Sequence, residues 1–548
     1  MTAPRHFVTT TIPYVNARPH LGFALELVQA DTLARHRRRR GDQVRLLGGT
    51  DDHSLKNVLA AEAEGVDVRT LVDRNADAFA ALRDPLALSY DDFIRTSSDP
   101  RHRVGVERLW RRCAAAGDLY LKAYEGLYCV GCEQFYTEDE LVDGRCAEHG
   151  TAPELVREEN WFFRLSRYAD RLRELIDDGT LRIEPAARRN EVLALIAGGL
   201  HDFSVSRSDT RARGWGIPVP DDPSQVVYVW WDALGNYVTS LGYGTDDPAY
   251  ERWWVTGDRR VHLVGKGVVR FHAVYWPAIL LSAGLALPTD ILVHDYLTVD
   301  GRKLSKSGGA TVDPVALTDA YGTDAVRWWL LREVPRVGDA DFTADRLVAR
   351  ADRDFAGGLG NLVHRVVTMV HRYRGGAVPP LGTDRFAVAA LLDACERAPG
   401  LIDTALSDYN FRRAVDAAWT IVEEADRCVD ATRPWELARA ERQGNAGAAE
   451  RLDAVLAALV TACRVLAEEL WPFIPGAAAR ISERVTPVEG VTSTEGVTPV
   501  ERVLPPSQPL FPRLRETSPA PSELPPTRGL TRSTTVGRAP VEVGGPPE

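Results

Sequence analysis

The sequence contains little lysine and lacks any long apolar run. Only five of its 66 basic residues are lysine. No stretch reaches the roughly 18 charge-free apolar residues that a membrane helix needs. The first residues, MTAPRHFVTT, have no signal-peptide core. We therefore expect a soluble cytoplasmic protein with no membrane association.

The overall composition excludes several classes of protein. The chain has 548 residues, a net charge of −11 and 45% hydrophobic residues. Its length predicts about three or four globular units with ample core. A chain that is disordered throughout, a collagen-like fibre and a disulfide miniprotein are excluded. The acidic balance argues against unspecific coating of DNA, but it leaves room for a local basic surface.

A metal-ligand pattern lies between residues 129 and 149. Cys129 and Cys132 form a C-x2-C pair, and thirteen residues separate them from a C-x2-H pair, Cys146 and His149. Each pair can supply two of the four ligands of a tetrahedral Zn²⁺, and four protein ligands leave no position open for water. We therefore predict a structural zinc. A chance group of loop cysteines and a redox CxxC are the alternatives, the second without the βαβ context that it needs.

The pattern of elements predicts an α/β protein followed by a helical bundle. HFVTTTIPYVN and VRLLGGTDDH are strand-like and flank a helix that begins near Gly22, which indicates a β-α-β unit with a parallel sheet. Later stretches such as AVDAAWTIVEEADRCV have helical periodicity. The predicted units are the first half of the sheet domain (1–117), an insertion with the cysteine knuckle (118–225), the second half of the sheet domain (226–300), a lysine loop region (301–345), a helical bundle (346–480) and a low-complexity, disordered tail (481–548).

Two of the five lysines stand in one pentapeptide, KLSKS. Because the chain otherwise uses Arg, a Lys that remains marks a position that needs a compact, flexible ammonium group. Lys303 and Lys306 are followed by Gly308 and Gly309, so a mobile loop could bring two ammonium groups onto a polyphosphate. The alternative is a solvated charged turn.

A second phosphate candidate is the turn Pro19-His20-Leu21-Gly22, between the first strand and the first helix. There His20 can donate to a phosphate, Gly22 lets a nucleotide approach the backbone, and the helix N-terminus favours an anion. Alternatively, His20 is a surface or capping residue.

Four motifs together resemble the class I aminoacyl-tRNA synthetases, and among them the bacterial methionyl-tRNA synthetases. They are TIPYVNARPHLGF, GTDDHS, the knuckle from Cys129 to His149, and RKLSKS. The similarity runs from about residue 7 to Arg513 and includes YVWWDAL, FHAVYWPAIL and YGTDAVRWWLLRE. It implies a Rossmann-like nucleotide-binding parallel sheet with a zinc-knuckle insertion, followed by an α-helical anticodon-binding bundle.

The resemblance also implies a two-step reaction. The carboxylate of L-methionine attacks the α-phosphorus of ATP and displaces pyrophosphate with the help of Mg²⁺. The ribose hydroxyl at the end of tRNA(Met) then attacks the adenylate carbonyl and displaces AMP. Neither step needs a protein nucleophile, so orientation and charge neutralisation supply the rate.

The resemblance further assigns residues to each substrate. The implied ATP site, with His20, Gly22, Lys303 and Lys306 as its catalytic members, comprises His20, Gly22, Gly265, Lys303, Ser305 and Lys306. The implied methionine pocket comprises Ile12, Tyr14, Asp51, Trp230, Ala233, Tyr237, His272 and Trp276. Aromatic and aliphatic groups suit a thioether, and Asp51 would pair with the ammonium group. Without the resemblance, the paired tryptophans would be read as plain core.

In the bundle, the resemblance implies an anticodon site. Asn361 and Arg365 stand four residues apart on one helical face, and Trp435 begins a later helix. A ring can stack on an unpaired base, and the amide and guanidinium groups can contact base edges. The alternative is an ordinary polar patch and a Pro-Trp helix start.

Three residues depart from the family pattern near the nucleotide. Phe23 replaces the usual second histidine of the first signature, Ser54 replaces a glycine, and Gly267 replaces an aspartate. Each lost hydrogen bond would cost about 0.5–1.5 kcal/mol. Two hypotheses therefore stand beside a methionine–tRNA ligase: a ligase that passes the activated amino acid to a non-tRNA acceptor, and a non-catalytic tRNA-binding protein. No β-barrel appendage follows the motif PLFPR, so we expect a monomer.

Overall fold

The structure is a computed structural model that describes residues 3–147, 150–304, 312–383, 385–489 and 502–514. Most of the predicted tail, 481–548, lies outside the described residues. Within the part that the structure describes, no helix is long and apolar enough to cross a membrane.

The first part of the chain alternates strands and helices, as predicted. Its elements are β1 (Arg5–Thr10), α1 (Leu21–Arg39), β2 (Gln43–Thr50), α2 (Leu55–Glu64), α3 (Val68–Ala80), β3 (Asp92–Arg95) and α4 (Pro100–Ala115). Strand β1 is buried over its last four residues, as expected for a parallel strand that is covered on both faces. Helix α2 ends where Gly65 takes a left-handed conformation with φ of 69°.

The next part consists mostly of short antiparallel strands. Its elements are β4 (Leu119–Cys129), β5 (Gln134–Tyr136), β6 (Glu154–Phe163), α5 (Ala169–Asp177), β7 (Arg182–Glu184), α6 (Ala186–Ala197), β8 (Phe203–Ser204), β9 (Ser206–Ser208), α7 (Asp209–Ala212), β10 (Pro218–Val219) and β11 (Asp222–Val227). The order β5-β4-β6-β8 forms one sheet, and β10-β11-β9 forms a second.

The α/β pattern then resumes. The elements are α8 (Val229–Thr239), α9 (Pro248–Tyr250), β12 (Arg259–Gly265), α10 (Trp276–Ser282), β13 (Asp290–His294), β14 (Leu297–Val299), β15 (Arg302–Lys303), α11 (Pro314–Tyr321), α12 (Thr323–Arg332) and β16 (Ala340–Asp341). Two π-helical turns, Glu251–Val255 and Phe271–Tyr275, flank β12.

The last part is helical. Its elements are α13 (Ala344–Ala351), α14 (Gly360–Arg374), α15 (Ala389–Ser407), α16 (Phe411–Thr432), α17 (Pro434–Arg442), α18 (Ala446–Leu470), α19 (Pro475–Val485), β17 (Val488–Glu489) and β18 (Arg502–Val503), with a π-helical turn at Asp352–Leu359. Helix α18 is the central one and packs against α15, α16, α17 and α19.

The main sheet has the strand order β3-β2-β1-β12-β13-β7. All its pairings are parallel. Strand β7 lies within the stretch 118–225, which we predicted as an insertion, yet it pairs with β13 at the sheet edge. Three residues carry too little periodicity to reveal such a pairing, because edge strands are selected by long-range contacts.

Candidate active site

The carboxyl ends of the central strands carry four of the predicted small-molecule residues. Residues 12 and 14 follow β1, Asp51 follows β2, and Gly265 ends β12. The order β2-β1-β12 places these strand ends side by side. In open parallel sheets, ligands bind in the crevice at this edge.

A cavity of about 190 Å³ opens at this edge. Its lining is mostly apolar, with a single carboxylate, Asp51. The lining residues are Thr11, Ile12, Pro13, Tyr14, Phe23, Asp51, Trp230, Ala233, Leu234, Asn236, Tyr237, Val268 and His272. The structure therefore brings together every residue of the predicted methionine pocket except Trp276.

Trp276 lies behind the cavity wall. Its side chain is fully buried, and its ring centroid is 6.1 Å from that of Tyr237 and 6.3 Å from that of Trp254. The spacing of four residues from His272 would continue an α-helical face. Instead, the turn Phe271–Tyr275 is π-helical, which changes the angular relation between the two side chains.

The start of α8 contributes an aromatic wall to the cavity. The ring of Trp230 stacks on Phe271 at 3.8 Å with an interplanar angle of 4°, and it meets Tyr14 edge-on at 6.2 Å. Stacked and edge-on rings give a large, rigid apolar surface, which suits an unbranched apolar or thioether side chain.

Asp51 is the charged group of the cavity, and its side chain is almost wholly buried. Its exposed fraction is 1%, and its Oδ1 accepts a hydrogen bond from the backbone N–H of His53 at 3.2 Å. Burial raises the pKa of Asp51 well above its usual value, and the nearby carboxylates of Asp232 and Asp52 raise it further. The protein alone therefore compensates the negative charge of Asp51 incompletely, and a ligand with a cationic group would be stabilised beside it.

Behind Asp51 lies a buried group that sequence reasoning missed. The carboxylate of Asp232 is hydrogen-bonded to His53 Nδ1 at 2.6 Å and to His102 Nε2 at 2.5 Å. Burial alone would raise the pKa of Asp232, but the two histidines outweigh it and hold the pKa below the usual value. Asp232 therefore stays ionised and adds negative potential near Asp51. His53 lies in the motif GTDDHS and Asp232 in YVWWDAL, but nothing in the sequence indicated that they meet, since the three residues come from distant segments.

Tyr237 and His272 form a neutral pair on the cavity wall. His272 Nδ1 lies 2.9 Å from the carbonyl oxygen of Val268 and therefore carries the proton. His272 Nε2 then accepts the hydroxyl of Tyr237 at 2.8 Å. Burial lowers the pKa of His272 to about 4, so the ring is uncharged at neutral pH and the wall keeps its apolar character.

The predicted phosphate turn is the N-terminus of α1. His20 is the N-cap residue, and its Nδ1 accepts the backbone N–H of Gly22 at 3.1 Å. A Cβ at position 22 would lie 2.9 Å from the imidazole ring, so a larger residue would displace His20. With Nδ1 as the acceptor, a neutral ring keeps Nε2–H as a donor for an anion.

Phe23 fills the position of the missing histidine. Its ring lies 4.7 Å from that of His20 and 5.4 Å, edge-on, from that of Phe79. It also lines the cavity, so the apolar cavity extends as far as the phosphate turn.

The lysine loop is described only in part. Lys303 ends the short strand β15, which pairs with β14, while Ser305 and Lys306 lie outside the described residues. The segment after the loop returns to the phosphate turn, because the backbone N–H of Leu21 donates to the carbonyl oxygen of Val312 at 2.9 Å.

The cysteine knuckle brings three thiols together. The sulfur atoms of Cys129, Cys132 and Cys146 all lie within 4.8 Å of one another, while His149 lies outside the described residues. Sulfur atoms on a tetrahedral Zn²⁺ would be separated by about 3.8 Å, given Zn–S bonds of about 2.3 Å. Burial raises the pKa of Cys132, so its thiolate needs a cation. Both observations fit a metal.

The three predicted anticodon residues lie on two helices of the bundle. Asn361 and Arg365 are on α14, and Arg365 Nη1 contacts Asp426 Oδ1 of α16 at 3.1 Å. Trp435 is the second residue of α17, and 46% of its side chain is exposed. An exposed tryptophan is a better stacking surface than a core residue.

The cavity also contains residues that we did not predict, among them Leu234, Asn236 and Val268. Leu234 could have been found, because residues 230, 233, 234 and 237 follow the spacing of one helical face. Val268 lies in a 3-10 turn after β12 and carried no sequence signal.

Comparisons with known proteins agree on one family. The family model described as tRNA synthetases class I (M) matches residues 6–152 and 136–367. A methionine–tRNA ligase of Mesorhizobium japonicum is 40% identical over 485 residues, which are 88% of this chain and 91% of that protein. One from Caldanaerobacter subterraneus is 39% identical over 480 residues, which are 87% of this chain and 73% of that protein.

Solved structures give the same result. Mycobacterium tuberculosis methionyl-tRNA synthetase in complex with methionyl-adenylate matches with a TM-score of 0.85 and 39% identity, over 93% of this chain and 100% of that one. Its free form matches with a TM-score of 0.80 and 36% identity, over 94% of this chain and 99% of that one.

Proposed function

The chain belongs to the class I tRNA synthetases of the methionine type, and from this premise we propose that it is a methionine–tRNA ligase. It activates L-methionine with ATP to methionyl-adenylate, releases pyrophosphate, and transfers the methionyl group to tRNA(Met). The relatives and the solved structures support this function and not transfer to a non-tRNA acceptor.

One observation carries the proposal: a single buried carboxylate faces a cavity that is otherwise aromatic and aliphatic. The raised pKa of Asp51 means that its charge is poorly compensated in the protein alone. The ammonium group of an amino acid supplies the missing compensation, and the Trp230 and Tyr237 walls receive a thioether. The neutral Tyr237–His272 pair offers no charge to a polar side chain.

ATP binds across the neighbouring strand ends in this proposal. The nucleotide lies against Gly22 and Gly265, and His20 Nε2–H donates to a phosphate oxygen. Lys303, Ser305 and Lys306 hold the other phosphates, and the two ammonium groups neutralise the leaving pyrophosphate. Mg²⁺ arrives with ATP and adds charge neutralisation there. The methionine carboxylate is then held in line with the α-phosphorus by binding alone.

The insertion and the bundle act on the RNA. Cys129, Cys132, Cys146 and His149 hold one structural Zn²⁺, which fixes the knuckle in place. Trp435 stacks on an anticodon base, while Asn361 and Arg365 contact base edges. We keep the proposed units 1–117, 118–225, 226–300, 301–345, 346–480 and 481–548, with β7 assigned to the sheet domain, and we place the protein in the cytoplasm.

Two assays on purified protein test this function. We expect methionine-dependent exchange of pyrophosphate into ATP, and charging of initiator and elongator tRNA(Met) with methionine. Leucine and isoleucine serve as control amino acids, because their branched side chains do not fit a slot shaped for an unbranched chain. A protein that exchanges pyrophosphate but charges no tRNA would reject the ligase and favour another acceptor.

A further inference from the structure

Glu133 directly follows Cys132 in the cysteine knuckle, yet its carboxylate is used by the protein core. Its side chain is only 4% exposed. Glu133 Oε1 accepts the hydroxyl of Ser54 at 2.9 Å, and Oε2 accepts the hydroxyl of Tyr128. The backbone of Glu133 takes a left-handed conformation with φ of 57°. A non-glycine residue adopts this conformation at a cost, which the surrounding contacts must offset.

Ser54 stands at the other end of this hydrogen bond, in the loop that carries Asp51. Its hydroxyl oxygen also accepts the backbone N–H of Lys56 at 3.0 Å and so caps α2. The side chain is fully buried.

The backbone of the knuckle contacts the opposite wall of the cavity. The carbonyl oxygen of Cys132 accepts the indole N–H of Trp230 at 3.4 Å, and that of Glu133 accepts the hydroxyl of Tyr228 at 2.5 Å. Trp230 itself lines the cavity. Residues 132 and 133 thus contact both the loop after β2 and the start of α8, which form two sides of one cavity.

We propose that the Ser54–Glu133 hydrogen bond positions the methionine cavity by tying the Asp51 loop to the cysteine knuckle and, through it, to Trp230. Neither Ser54 nor Glu133 lines the cavity, so both are positioning residues and not catalytic ones. The inference rests on the proposed function, since it names what sets the affinity of the site for methionine.

The physical reason is the cost of an unpaired buried group. Without the Ser54 hydroxyl, a buried carboxylate loses one of its donors, and the loop or the knuckle must shift to find another. Only two residues separate Ser54 from Asp51, so a shift of Ser54 moves the group that would hold the ammonium. The ATP-facing turn at His20 belongs to a different loop and keeps its contacts.

The test measures methionine and ATP dependence separately in the pyrophosphate exchange assay. For Ser54→Ala we expect the KM for methionine to rise about five- to twentyfold, with the KM for ATP and the kcat within about twofold of the wild-type values. Glu133→Ala should raise the KM for methionine at least as much. Glu133→Gln keeps an oxygen that can accept from Ser54, so it should retain most of the wild-type affinity.

A matched control separates positioning from the loss of a helix cap. Asp67 caps the neighbouring α3 through the backbone N–H groups of Arg69 and Thr70, and it is exposed. Asp67→Ala therefore removes a cap without touching the cavity, and its KM for methionine should stay unchanged. The zinc content of Ser54→Ala, measured by mass spectrometry, should equal that of the wild type.

A double-mutant cycle gives the sharpest result. If the two side chains act through their shared hydrogen bond, Ser54→Ala combined with Glu133→Ala should raise the KM for methionine no further than Glu133→Ala alone. Additive effects, an unchanged KM in Ser54→Ala, or a lost zinc in that variant would overturn the inference while the wild type stays active. A wild-type protein without methionine-dependent exchange would reject the proposed function instead.

Discussion

The sheet domain and the helical bundle differ in how many polar and charged side chains they bury. Among the described residues, buried polar or charged side chains are frequent up to residue 345, and beyond it they are limited to Asp354 and Glu469. Both exceptions face the other half of the molecule. Glu469 contacts Arg39 at the end of α1 and Arg40 directly after it, and Asp354 accepts the indole N–H of Trp328 in α12.

In the proposed function, this difference corresponds to two kinds of recognition. A site for a small charged ligand gains strength when its polar groups are desolvated and held by one another, as Asp51, Asp232 and the two histidines are. A helix bundle that contacts RNA can keep an apolar core, because stacking and base-edge contacts are made from its surface. Trp435 has the exposure expected for that use.

The largest expected effect comes from removing the buried charge of the sheet domain. Asp51→Asn keeps the shape of the cavity but offers no charge to an ammonium group. We expect kcat/KM for methionine in pyrophosphate exchange to fall at least about a hundredfold, as for a broken buried ion pair. Asp77→Asn, at a carboxylate that is 80% exposed, should change little. Activity near the wild-type level in Asp51→Asn would mean that the buried charge of the sheet domain does not bind the substrate.

A second prediction concerns the knuckle. Cys129→Ser replaces one buried thiol of the three-cysteine group, and we expect metal affinity to fall at least about tenfold. Metal content after dialysis against a mild chelator measures it, with Cys463→Ser, in the apolar core of α18, as the control. Equal metal content in wild type and Cys129→Ser would refute the metal site.

A third prediction concerns the bundle surface. Trp435→Ala should lower kcat/KM for charging of tRNA(Met) about tenfold, since stacking on one base contributes about 1–3 kcal/mol. Pyrophosphate exchange without tRNA should be unaffected. Phe386→Ala removes another aromatic ring of the bundle that is 94% exposed and should leave charging unchanged. A loss of exchange activity in Trp435→Ala would mean that the two halves do not act separately.

The smallest effect is on stability, and its sign follows from the raised pKa of Asp51. A carboxyl whose pKa is higher in the folded than in the unfolded protein makes the folded state bind more protons, so stability falls as pH rises from about 4 through the folded pKa. Asp51→Asn removes this cost. We therefore expect its melting temperature to exceed that of the wild type at pH 8, and the difference to vanish near pH 4. A melting temperature of Asp51→Asn below that of the wild type at pH 8 would contradict the raised pKa of Asp51.

The sequence alone was sufficient for the family, the α/β start, the helical end and most of the residues that line the cavity. These features are encoded locally: β-branched runs followed by turns, helical periodicity, and short motifs at strand ends. Seven of the eight residues that the resemblance assigned to the pocket line the cavity. Ile12, Tyr14 and Asp51 follow strands whose ends meet at one edge of a parallel sheet, and the other four lie on α8 and in the π-helical turn Phe271–Tyr275.

The tertiary structure decided what depends on contacts between distant segments. It placed Phe23 in the cavity and Trp276 behind it, joined β7 to the main sheet, and gathered Asp232, His53 and His102 into one buried group. It also turned Ser54, which the sequence marks only as a departure, into a contact with the knuckle. Periodicity reports which face of an element is apolar, whereas the partner across a buried hydrogen bond is selected by packing of the whole chain.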